Sequence, residues 1–353
     1  MRIRPLSRLI SIVLVLCAVS SCSPYLFRAS WEEAGILLRR ERIEKLLSSP
    51  SLEPELKNKL ALVLEARSFA MSLGLTPKKS FTYYSKIDRD VLVWVVSGAK
   101  KTAFEPVTWW YPIVGRVPYK GFFEKSAALN EAANLEAKNF DTYFRPSAAF
   151  STLGWFNDPV LSTVLRFNEV SVVNTVIHEI VHTTVWVKNQ VSFNETLANF
   201  IGSIGAEQFY RTQHNEALAN AASDIWADEL IFAQHLNSTY QALSMLYNEN
   251  LAEETVGRRR EEIFDRARTE WQLVEKQLRT KNYSIAGEKL NNASILANQL
   301  YLDRIEVFEG LYHACHDSLP DFIAQIKTLV KNKPARVDIY ESMIDRTREL
   351  KTQ

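Results

Sequence analysis

The chain has 353 residues, of which 46% are hydrophobic, 11% aromatic and 24% charged. Such a composition excludes a disordered or fibrous protein, and the length suggests about two domains with a sizeable core. Lys and Arg (42) nearly balance Asp and Glu (41), which argues against a nucleic-acid partner.

The first segment reads as an export signal over residues 1–21. Arg2, Arg4 and Arg8 form a positive start, and Leu9 to Val19 is an apolar run too short to span a bilayer. The run ends in Val19-Ser-Ser-Cys22, which looks like a bacterial lipobox with Cys22 as the lipidated residue. Plain secretion with cleavage at a nearby small residue is the alternative. Ser23 after the cysteine favours, by analogy, an outer-membrane anchor facing the periplasm. Without residues 1–21 the balance is 39 positive against 41 negative charges, and of Cys17, Cys22 and Cys315 only Cys315 remains as a free thiol. A lone cysteine makes no internal disulfide, so the fold has to stand on its core.

Residues 22–79 read as a helical segment. Trp31, Ile36, Leu37, Ile43 and Leu46–Leu47 recur at helical spacing, and a second helix runs to a stop near Gly74 and Pro77. Residues 80–212 change character. "DVLVWVVSG" from Asp90 is a strand, and 104–123 alternates aromatics with Pro and Gly as short strands or hairpins. Residues 124–140 form a helix. Residues 141–161 give a strand and then a turn at Asn157-Asp158-Pro159. From Val170 onward almost everything is helical, with 213–353 as a helical C-terminal domain. The charge-dense run Arg258–Trp271 reads as a solvated helix face.

Within the helix that follows Val170 lies His178-Glu179-Ile180-Val181-His182. Four residues on a helix of 3.6 per turn return to nearly the same face, so both imidazoles can address one ion. Glu179 stands about 100° round the helix and can take a proton from a water that the ion activates. The flanks Val172, Val173, Val176, Ile177, Ile180, Val181 and Val185 bury the helix nearly all round. Unpaired ionisable groups are costly in such a place, and an ion would pair them. Catalytic zinc takes three protein ligands. Glycine at 185 and histidine at 188 would supply the long form of the motif, but Val185 and Lys188 stand there. Glu195, on the next helix after a turn at 188–190, is the favoured third ligand, with Asn194 and Asn199 as its supports. Glu207, Glu216 and Asp224 are rivals. Ser192 to Glu195 also reads as a capping box.

"STLGWFNDPVLSTVLRF", "HEIVHTTVWVK" and "SFNETLANFIG", in this order, resemble a bacterial family of predicted zinc aminopeptidase lipoproteins of the HExxH, gluzincin-like kind. The likeness extends to "LALVLEARSFA", "YPIVGRVPYKGFF" and "KLNNASILANQLYLDRI". It implies Zn2+ held by His178, His182 and Glu195, and Glu179 as the base. A Gly-x-Met-Glu-Asn segment, used by well-known zinc aminopeptidases to hold the substrate amine, does not occur in the sequence.

Ser151–Trp155 could be an edge strand that pairs with substrate, or an ordinary core strand. Tyr301 is a candidate oxyanion donor beside its plainer role as a core side chain. His313, Cys315 and His316 read as a helix end, and His214 and His235 as isolated histidines on helix surfaces. The expectation is an α+β, mostly helical, zincin-like fold: a lobe with a small mixed or antiparallel sheet, a helical C-terminal lobe and a cleft between them. The expected activity is zinc-dependent hydrolysis of peptide bonds, as an aminopeptidase. A non-catalytic envelope scaffold and a metal hydrolase of non-peptide bonds are the alternatives. The expected partners are a peptide substrate and, through Cys22, a membrane.

Overall fold

The computed structural model describes residues 31–32, 34–111, 115–147, 158–283, 285, 289–332 and 338–352. The signal region, Cys22 and the 151–155 segment lie outside them. Among the described residues the chain is mostly helical, with three small sheets. Among the described residues no helix is long and apolar enough to cross a membrane.

One sheet is mixed. β1 (Glu41–Arg42) pairs antiparallel with β2 (Tyr83–Ser85), which pairs parallel with β8 (Val160–Leu161). The largest sheet places β3 (Val93–Lys100) between β6 (Tyr119–Phe122) and β7 (Phe140–Ser147), both antiparallel to it. β4 (Trp109–Tyr111) and β5 (Gly115–Val117) form a separate hairpin. Strand side chains alternate between faces, so the register of the central sheet sorts them. Trp94, Val96, Phe122 and Phe144 face α3 (Lys125–Glu136) and pack on its Ala128, Ala132 and Leu135. Gly98 lets that helix close in, because a Cβ there would stand 3.0 Å from Leu135 Cδ1. Val95 pairs with Arg145, and Ser97 with Tyr143 and Tyr119. The opposite face therefore presents Tyr119, Tyr143 and Arg145.

The helices build the main core. α1 (Ile43–Leu47) leads to α2 (Pro54–Ser72), which packs on α4 (Glu169–Thr184). α5 (Val191–Thr212) runs back along α4. α9 (Ile305–Ala314), α10 (Leu319–Asn332) and α11 (Ile339–Lys351) join the same apolar cluster through Phe308, Phe322 and Ile339. A second cluster, around Phe264 and Trp271, joins α6 (Glu216–Tyr247), α7 (Glu253–Val274) and Ile295 of α8 (Asn292–Gln299).

A buried polar knot fastens α7 and α8 to the central sheet. Arg260 donates to Asp141 Oδ2 at 2.6 Å and to the Lys101 carbonyl. The Asn292 backbone donates to the same Asp141 oxygen, and its side chain to the Lys100 carbonyl. Asn291 caps α8 and donates to the Thr142 carbonyl.

Several expectations are corrected. The helical spacing over 31–47 does not give one helix: residues 34–38 are helical, and Glu41–Arg42 then pairs with Tyr83–Tyr84 as a strand. Sheet hydrogen bonding there outweighs local periodicity. The helix expected to reach Phe140 ends at Glu136, because Asn139 turns left-handed (φ 64°) and Phe140 opens β7. Arg258–Trp271 is not wholly solvated, since Arg260 is buried against Asp141. His235 is buried against Trp271, whereas His214 is exposed.

Candidate metal centre

α4 begins where the Asn168 side chain accepts from Ser171 N. It ends where Thr183 and Thr184 bond the backbone of Thr76. Both ends are thus fixed, and α2 and α5 cover the middle. Gly202 brings α5 in closely: a Cβ there would lie 3.1 Å from the Asn174 carbonyl and 3.3 Å from His178 Cβ. Asn174 donates to Ser203 Oγ across the same contact.

The turn from Val185 to Gln190 returns the chain so that Glu195 faces both histidines. His178 Nε2 and His182 Nε2 are 3.2 Å apart. Glu195 Oε2 is 3.5 Å from the first and 3.6 Å from the second. Among the described residues these three form the cluster able to hold a metal ion. An ion with tetrahedral bonds of about 2.0–2.2 Å spaces its donor atoms roughly 3.3–3.6 Å apart, so the triangle fits. The donor chemistry fits as well, since two imidazoles and a carboxylate suit zinc.

The electrostatics suit a cation. Burial alone would raise the Glu195 carboxyl, but His182 and His178 outweigh it and hold the group well below the usual carboxylate range. Burial would lower His182, but Glu195 and Glu179 outweigh it and raise the imidazole. Without an ion, protons are what that carboxylate draws in. Glu179 is pushed up by burial, against the pull of both histidines. Its Oε2 is buried with no hydrogen-bond partner among the described residues. A small cavity beside it, lined by Phe81, Asp158, Val160 and Thr175, has room for about one water.

Among the described residues the Asn194 side chain makes no hydrogen bond to Glu195. It clamps the preceding turn, accepting from Val187 N and donating to Val187 O, both at 2.8 Å. Ser192 and Glu195 form no capping box, because α5 starts after Gln190 and has no side-chain cap. Glu207 and Glu216 pair with Arg211, and Asp224 pairs with Arg279. None of these three rivals joins the cluster.

Tyr301 does reach the centre. Its ring centroid is 6.3 Å from that of His178. α5 holds the turn that carries it: Thr196 Oγ1 bonds the Leu300 carbonyl and Asp303 N, and Asn199 donates to the Tyr301 carbonyl. Asn199 also donates to Glu229, whose carboxyl burial pushes up to about 7. Arg145 donates to the Tyr301 hydroxyl at 3.2 Å, which leaves the hydroxyl proton to point elsewhere. Burial, then Glu195, push that hydroxyl up to about 12 against the lowering pull of Arg145, so it keeps its proton near neutrality. Burial, with Glu195 and Tyr301 nearby, likewise raises Tyr119. Trp186 closes the other side, its ring 5.5 Å from that of His182.

Arg145 and Tyr119 had no sequence signal linked to the histidines, because sheet pairing rather than fixed spacing brings them in. The period-two repeat of Tyr143 and Arg145 on β7 was the available hint. His313 bonds Asp317 at a helix end, with Cys315 buried beside it, as an ordinary structural feature.

No curated protein and no solved structure matches the chain. A family does match, over residues 24–338, and so takes in both histidines, Glu179, Glu195, Arg145 and Tyr301. The chain belongs to the family described as "Putative aminopeptidase".

Proposed function

We propose that the chain is a zinc-dependent peptidase with a zincin-like arrangement, acting as an aminopeptidase. Family membership supports a peptidase. The observation that carries the finer reading is the triangle of His178, His182 and Glu195 donor atoms, with edges of 3.2–3.6 Å, beside an unpartnered buried oxygen of Glu179.

Zinc held there supplies Lewis acidity, polarising the scissile carbonyl and acidifying water. The chain's residues do the rest. Glu179 takes a proton from the attacking water at Oε2 and returns it to the leaving amine, and its burial raises its basicity for that task. Tyr301 donates its hydroxyl proton to the oxygen on which negative charge develops. Arg145 and the Thr196–Asn199 grip hold that hydroxyl in place. Trp186 and the packed helices limit water around the donors.

The test is metal content and peptide hydrolysis measured on the same preparations. Wild type is expected to hold about one zinc per chain. Glu179→Gln is expected to keep the zinc and lose about 10²–10⁴-fold in rate. His182→Ala is expected to lose the zinc. Unchanged hydrolysis in Glu179→Gln refutes the enzyme reading, and equal zinc in His182→Ala moves the metal elsewhere. Ester hydrolysis with no cleavage of peptides favours a non-peptide hydrolase. Anchoring through Cys22 in the bacterial envelope is part of the same proposal, supported by the apolar run and the lipobox-like residues. Its check is whether Cys22→Ser moves the protein from the detergent phase to the aqueous phase.

A further inference from the structure

We infer that Arg145 anchors a carboxylate of the substrate, and that the favoured substrates are peptides carrying a carboxylate within about three residues of the scissile bond. The inference rests on the peptidase reading above and narrows it to a substrate class.

Arg145 is the anomaly among the less exposed cations. Arg260 is buried against Asp141 at 2.6 Å. Arg145 sits on the sheet face with Tyr119 and Tyr143, and among the described residues no carboxylate comes within ion-pair reach of it. Its one hydrogen bond among those residues goes to the neutral Tyr301 hydroxyl, and its guanidinium carbon lies 5.8 Å from the Tyr301 ring centroid. Tyr301 is the main influence holding its pKa above the usual arginine value, so the charge stays. A guanidinium that loses part of its solvent without gaining a counter-ion is unfavourable. Such an uncompensated charge beside a candidate catalytic centre marks a place where a ligand's charge belongs.

Geometry selects the ligand. A guanidinium has five N–H donors in a planar fork, of which one meets Tyr301, and the fork matches a carboxylate in bidentate fashion. Carboxylates are the anions peptides carry, at the C-terminus and on Asp and Glu. Tyr301 neighbours both the cation and His178, so the guanidinium is at most about 12 Å from the His178 ring. About three extended residues cover that span. Arg145 is partly exposed, so a ligand can reach it.

A purely positioning role makes a different prediction. If Arg145 only orients Tyr301, its loss slows every substrate alike. The experiment compares Ala-Ala and Ala-Ala-Ala as free acids, the same peptides as C-terminal amides, and Ala-Glu amide, in wild type, Arg145→Lys and Arg145→Gln. Wild type is expected to prefer the free acids over the alanine amides by about 10- to 100-fold in kcat/KM, the range of a hydrogen bond to a charged group. If acidic side chains are also accepted, Ala-Glu amide behaves as an acid. Arg145→Gln is expected to abolish the preference and Arg145→Lys to restore part of it. Equal kcat/KM for acids and amides in wild type overturns the inference, as does an unchanged preference in Arg145→Gln. Calorimetric binding of the same peptides to the Glu179→Gln variant, with and without Arg145→Gln, separates the two readings. Arg145-dependent binding of acids with no turnover of any peptide by wild type would sink the peptidase reading and leave the anchor standing.

Discussion

At the scale of single residues, the site is organised by three donor atoms whose mutual repulsion is relieved only by a shared cation or by protons. Two imidazole nitrogens 3.2 Å apart, facing a buried carboxylate, are a poor arrangement for a core and a good one for an ion. Glu195→Gln is therefore expected to weaken zinc binding by more than 10-fold, measured by competition with a chromogenic chelator, while the fold persists. Tyr301→Phe keeps the ring and removes the proton donor. It is expected to lower kcat by about 10²–10³-fold with zinc content unchanged; equal loss in KM and none in kcat would place Tyr301 in substrate binding instead. Glu229 gives a pH signature. Burial raises its folded pKa to about 7, above the ordinary carboxyl value, so the folded state keeps a proton that the unfolded chain releases near pH 4.5. That contribution favours folding at low pH and disappears as pH rises towards 7. The denaturant midpoint of wild type is expected to fall more between pH 5 and pH 8 than that of Glu229→Gln; parallel curves would contradict this. Much of the site was readable from residues alone, because two imidazoles one turn apart on an otherwise apolar helix have few uses besides a shared ion. Arg145 and Tyr119 were not readable, because nothing in local spacing records which strands become neighbours.

Among the elements, the α4–α5 pair carries the most. One helix brings the two imidazoles and Glu179; the other brings Glu195 and, from the adjacent Thr196 and from Asn199 one turn on, the contacts that hold Tyr301. Closeness between them depends on position 202. Gly202→Ala would press a methyl onto the Asn174 carbonyl and His178 Cβ, both already near the contact limit. The expected result is a loss of about 1–3 kcal/mol in urea denaturation together with weaker zinc binding. A stable variant with wild-type affinity would show that the helices can slide apart freely. The hairpin was legible because its turn, its apolar faces and its ligands are all local in sequence. The capping box that Ser192–Glu195 also spelled does not form, since that helix has no side-chain cap and Glu195 faces the histidines. β1 was missed for the opposite reason: Glu41–Arg42 becomes a strand only because β2 lies alongside.

Across the whole molecule, the polar knot at Asp141, Arg260, Asn291 and Asn292 connects segments about 120–150 residues apart in the chain. Removing Arg260 strands the buried charge of Asp141. Arg260→Met is expected to cost about 3–5 kcal/mol in equilibrium unfolding while zinc content in the folded fraction stays at the wild-type level. Zinc lost in step with stability would mean that the knot and the metal centre share one cooperative unit. The α+β, mostly helical class could be anticipated from the valine-rich strand and the long periodic stretches, but the knot could not. A run as charged as Arg258–Trp271 hides the single arginine that turns inward. The spacing of the site along the chain also sets an order of assembly. His178, His182 and Glu195 fall within 18 consecutive residues, whereas Tyr301 arrives about a hundred residues later. Local closure is quick and distant closure slow, and the N-terminal part of a chain is the first to emerge. A newly made polypeptide can thus close its proposed ion-binding hairpin early and yet stay chemically idle until the last third docks, so the proposed hydrolase is restrained from attacking its neighbours while it is still immature.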